Sequence, residues 1–128
     1  MKKNYTVIVL LLLFTGTIEA QKNEIKAAEK EVNNGNPQDA LTILTSIEFQ
    51  VYNSKDEDKA LFYLVKGNAL SEITVKNIHE DKNLILAAQS YQELFKVEAE
   101  SGKTKFYDSS KSALKSLKEK LIKNATLD

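Results

Sequence analysis

Two hydrophobic patterns divide this chain. The first is an unbroken apolar run from Val7 to Phe14, preceded by Lys2 and Lys3 and followed by a short polar stretch that ends at Ala20-Gln21. Beyond it, apolar residues recur every three or four positions, the period of an amphipathic helix, and the pattern predicts five of them. The first covers about Lys22 to Asn34 with Ile25, Ala28 and Val32 on one stripe, and the second runs from Pro37 to about Gln50 with Ala40, Leu41, Leu44, Ile47 and Val51. The third opens near Lys55, where Ser54 and Glu57 have the spacing of a capping box. It contains Ala60-Leu61-Phe62-Tyr63-Leu64-Val65, apolar all round, which marks it as the central helix. Polar residues from Thr74 to Asn83 interrupt the pattern. A fourth helix resumes near Leu84 with Ala87, Ala88, Tyr91, Leu94 and Phe95. The fifth spans about Thr104 to Asn124, with Phe106, Ala113, Leu114, Leu117 and Leu121 inward and Lys111, Lys115 and Lys118 outward.

The few breakers sit between these segments. Gly35 suits a left-handed helix stop, Asn36 offers a side-chain oxygen to the next free N–H groups, and Pro37 presets a first helical turn. Gly67 is different: it falls inside a strong helix, where it costs about 1 kcal/mol relative to alanine. A close helix crossing accounts for it better than a ligand approaching the backbone.

The N-terminal run has the layout of a secretory signal peptide, residues 1–20, with cleavage expected after Ala20. Its eight apolar residues reach only ~12 Å as a helix, against ~30 Å for a bilayer core. An exported bacterial protein of the periplasm or cell envelope is therefore expected, with no membrane contact after cleavage. Residues 21–128 then suffice for one helical domain.

Composition narrows the chemistry. With no cysteine, disulfides, thiolate metal sites and thiol nucleophiles are excluded. Every basic residue is lysine; the missing arginine lowers the expectation of nucleic-acid or phosphate recognition. The zero net charge hides an asymmetry, because residues 21–102 carry nine Lys against fourteen acids while residues 103–128 carry seven Lys against three. The lysine face of the fifth helix reads as a solvated outer surface rather than a lipid-binding one.

Catalytic signatures are missing from the sequence. His79, the only histidine, has Glu80 and Asp81 beside it but no visible nucleophile or ligand set, and reads as part of a surface loop. Asp56-Glu57-Asp58 lies in the first turn of the third helix, where the helix dipole favours anions, and lacks the alternating ligands of a calcium loop. Phosphate loops, nucleophile elbows and paired-histidine motifs are likewise missing. The expectation is a protein without catalytic residues, metal or cofactor.

Short turns and a returning apolar grammar mark a repeat of helical hairpins, residues 22–51 and 55–101, with 104–124 as a capping helix. The residues resemble the tetratricopeptide family. Ala28, Gly35 and Ala40 correspond to the helix contact and turn of the first hairpin; Tyr63 and Gly67 form the first-helix motif of the second, and Ala87 and Tyr91 its second-helix motif. Two departures stand out: Glu24 and Glu31 occupy positions where the family places bulky residues, and the spacing from Gly67 to Ala87 is about eight residues longer than the family's, around Val75–Asn83. The resemblance implies an all-α stack of antiparallel hairpins, a short solenoid with a concave face that holds a peptide or partner helix. In this chain that groove would be lined by Glu29, Asn33, Leu64, Asn68, Ser71 and Glu72. Leu64 stands where a carboxylate-gripping lysine would be needed. The expected function is a scaffold or protein-binding module of the envelope. The alternatives are the N-terminal segment of a longer repeat protein, whose next hairpin would dock on the fifth helix, and an envelope hydrolase using His79.

Overall fold

The computed structural model describes residues 19–76 and 81–127. These form five helices and no strand: α1 over residues 19–33, α2 Pro37–Val51, α3 Asp56–Lys76, α4 Asp81–Ser101 and α5 Tyr107–Leu127. None of them is long and apolar enough to cross a membrane. Residues 1–18, and with them most of the predicted signal peptide, lie outside the described residues, as does His79.

The turn between α1 and α2 closes by backbone bonding. Gly35 takes φ +81°, its N–H reaches the Val32 carbonyl at 3.0 Å, and the Asn36 N–H reaches the Glu31 carbonyl at 2.8 Å. That pair of bonds is a Schellman motif, and it needs the left-handed residue that glycine supplies. Asn36 does not cap α2 through its side chain as the sequence suggests. Its amide turns back and donates to Glu31 Oε2 at 2.9 Å.

The Ser54–Glu57 capping box also gives way to longer-range partners. Helix α3 starts one residue later than expected, with the Lys55 carbonyl accepting the Asp58 and Lys59 N–H groups at 3.0 Å. Ser54 Oγ donates to Gln21 Oε1 at 2.8 Å, and Glu57 accepts from Lys105 Nζ at 2.6 Å. Tertiary contacts have taken both side chains from the cap, tying the α2–α3 turn to α1 and the start of α3 to the turn before α5.

The polar interruption is shorter than the sequence implies. Helix α3 continues to Lys76 and α4 begins at Asp81, so most of the extra residues extend two helices instead of forming a loop. Once a helix is nucleated and packed, each further residue fixed gains its own backbone bond, so a polar sequence free of Gly and Pro propagates it.

Helix α3 is the centre. Its Phe62, Val65 and Ala69 join Ile25, Ala28 and Val32 of α1 and Ala40, Leu44, Ile47 and Val51 of α2 in one buried cluster. Its Leu70 joins Leu84, Ala87 and Tyr91 of α4 and Leu117 of α5 in a second, with Leu41 packed against both. Helix α5 rests mainly on α4, and of its predicted inward stripe only Leu117 is fully buried.

Candidate functional site

Among α2–α5, helices α3 and α4 share the most extensive contact, and Gly67 lies in it. The buried ring of Tyr91 lies directly over the Gly67 backbone: a β-carbon built there would stand 2.6 Å from its Cε1 and 2.7 Å from its Cζ. The phenol reaches past the glycine and donates to Asn68 Oδ1 at 2.7 Å. Ser71 Oγ lies 3.4 Å from the same phenol and donates to the Gly67 carbonyl at 2.8 Å. Burial holds the Tyr91 pKa above its ordinary 10, with the Ser71 contact acting in the opposite sense. A neutral, fixed phenol is thus the donor that orients Asn68.

The remaining motif residues occupy packing positions. Ala28, Ala40 and Ala87 are fully buried. Tyr63 is half-buried, edge-on to Phe62 with ring centroids 5.3 Å apart.

Tyr91 brings Asn68 and Ser71 together. Leu64, half-buried, packs against the second core cluster, and Glu72 is half-buried one turn beyond Asn68. Glu29 and Asn33 sit on α1, whose neighbouring residues Ala28 and Val32 share the first cluster with α3. Asn68 spends Oδ1 on Tyr91, and its amide N–H groups have no partner among the described residues.

Two features escaped sequence reading. One is a polar trough of about 590 Å³ on the other side of the α3–α4 seam, lined by Tyr63 and Lys66 with Glu48 and Tyr52 of α2 and Gln89 and Glu93 of α4. Lys66 Nζ binds Glu48 Oε1 across it at 2.6 Å. The other is Glu98, only 4% exposed. Its Oε1 accepts the Phe106 N–H at 2.6 Å, joining the end of α4 to the start of α5, while its buried Oε2 has no partner among the described residues. Glu98 stands four residues after Leu94 and seven after Tyr91, on the buried stripe of α4, so the helical period could have flagged it as an inward carboxylate.

Among the described residues no three His, Cys, Asp or Glu side chains converge as a metal site. Comparison with protein-family models, curated proteins and solved structures gave no match.

Proposed function

We propose that the mature chain is a non-catalytic binding module of the bacterial cell envelope, a short tetratricopeptide-like stack that holds a peptide or partner helix along α1 and α3. Asn68 carries this reading. It sits on the central helix, half-buried and oriented by the Tyr91 phenol, with its amide hydrogens unspent. A donor fixed before binding loses little freedom when it meets a backbone carbonyl or a carboxylate, which is what recognition of an extended or helical chain asks of a groove residue. Glu72, one turn along, and Glu29 and Asn33 on α1 give the face further polar groups. Export rests on the charged start and the Val7–Phe14 run, and an intact mass beginning at Gln21 is the expected check.

The deciding experiment is crosslinking and capture from intact envelope with the wild type, Asn68→Ala and Glu72→Lys. Loss of the same partner from both variants, with helicity and thermal stability retained, supports the groove. A partner held equally by all three rules it out.

A further inference from the structure

A second surface lies between α4 and α5. Ala88 of α4 and Leu114, Leu117 and Leu121 of α5 form the floor of an open groove of about 450 Å³, and Lys111, Lys115 and Lys118 rim it. The two helices run antiparallel: Phe95 meets Tyr107 beside the connecting turn, at 5.3 Å between centroids, and Ala88 faces Leu121 toward the other end. Ile85, one turn before Ala88, is 50% exposed, and Ile122, next to Leu121, is 54% exposed. They lie at the end of the groove away from the connecting turn.

We propose that this groove docks an amphipathic helix of another protein, one that carries acidic residues beside its apolar stripe. The floor follows helical spacing and is recessed between two helices, so it accepts side chains as knobs, the mode in which a helix lies in a groove. The rim supplies the charge complement. Lys111, Lys115 and Lys118 recur at i, i+4 and i+7, a row ~10 Å long at helical rise. None is within ion-pair distance of a carboxylate among the described residues, and Lys111 alone has a ring contact, with Tyr107. A rod with carboxylates at matching spacing meets all three ammonium groups, whereas a single-headed amphiphile meets one. A flat anionic membrane would leave the recessed floor unfilled. The surface is separate from the Asn68 face and does not depend on it.

The test is a fluorescence-anisotropy titration of the protein as recovered from cells with two synthetic helical peptides. Both carry one leucine stripe, flanked by glutamates in one and by lysines in the other. Saturable binding of the glutamate peptide is expected, weakening by about tenfold or more in Lys111→Glu/Lys115→Glu/Lys118→Glu and on raising salt, because screening acts on exposed charge pairs. The triple Lys→Gln variant, which adds no repulsion within α5, should weaken it in the same direction. Asn68→Ala should bind the peptide as the wild type does. Equal affinity for both peptides, or a reversal variant that binds normally, overturns the proposal. So does preferential co-sedimentation with phosphatidylglycerol vesicles, which assigns the lysines to a lipid surface. A dimer that dissociates on charge reversal also overturns it, by making a second copy the occupant.

Discussion

Tyr91 and Gly67 are a fitted pair: the ring of one fills the space that any side chain on the other would need, with 2.6 Å between Cε1 and the nearest β-carbon position. The tyrosine cannot easily swing aside, since it is 1% exposed and anchored at its phenol to Asn68. Gly67→Ala therefore sets a helix-propensity gain of ~1 kcal/mol against an overpacking cost of ~1–3 kcal/mol. A net loss of up to ~2 kcal/mol is expected, with a larger one for Gly67→Leu. Denaturant midpoints measure both. In a Tyr91→Ala background the penalty of Gly67→Ala should vanish, because the two substitutions share one space.

The phenol also sets an alkaline limit. The raised pKa of Tyr91 comes from burial, so its stabilising contribution is complete below the ordinary value of 10 and is lost as pH rises through the folded value. Tyr91→Phe should cost ~1–2 kcal/mol at neutral pH, by leaving Asn68 Oδ1 without its donor. It should also lose less stability than the wild type above pH 10. Tyr63, likewise raised by burial, is present in both proteins, so the difference isolates Tyr91. Tyrosinate absorbance followed alongside unfolding gives the readout.

At the other end of the scale, Glu57 is held below the ordinary carboxylate value of 4.5 by its hydrogen bond to Lys105 and by that residue's charge. A depressed folded pKa contributes stability above 4.5 that disappears as pH falls through the lowered value. Lys105→Met should therefore cost a little stability at neutral pH, where the contribution is complete, and converge with the wild type as pH falls through the lowered value, which flattens the acid side of the profile. The pair is solvent-exposed, so its effect should shrink further in high salt. Denaturant midpoints across that acid range, at two salt concentrations, test it.

Glu98 should prove the most sensitive carboxylate. Glu98→Ala removes the acceptor of a part-buried Phe106 N–H and is expected to cost ~1–3 kcal/mol. Glu98→Gln keeps an oxygen in reach and should cost less. Hydrogen exchange at the Phe106 amide distinguishes a lost bond from a general loosening: the first accelerates that amide before its neighbours.

The residues that were legible in the sequence share one property: their identity constrains the backbone. Gly35 at a helix stop and Gly67 inside a helix have few roles open to them, whereas the packing of Tyr91 on Gly67 appears only in the folded chain. Ile25, Ala28 and Val32 were readable because burial and period coincide. Ser54, Glu57 and Asn36 misled for the opposite reason. Their side chains satisfy a local rule, yet each found another partner, Gln21 of α1 for Ser54, Lys105 in the turn before α5 for Glu57 and Glu31 in the last turn of α1 for Asn36, and the cap spacing carries no information about such partners. Glu98 lies on the period of Leu84, Ala87, Tyr91 and Leu94 and only its charge disguises it, because the Phe106 N–H that justifies its burial lies beyond the α4–α5 turn. The α5 lysines were readable as one face of a helix, but the apolar groove beside them needs the α4 residue Ala88, and so exists only in the folded chain.

The two buried clusters meet across α3, with Leu41 touching both. A core divided this way is expected to open in steps. The half built from α4 and α5 hangs on Leu70, Leu84, Ala87, Tyr91 and Leu117, and can open while α1, α2 and the facing side of α3 stay closed. Native-state hydrogen exchange should then sort the amides into two populations, with α5 reporting a lower opening free energy than α1 and α2. Leu41→Ala, which thins a side chain packed against both clusters, should widen the gap between them.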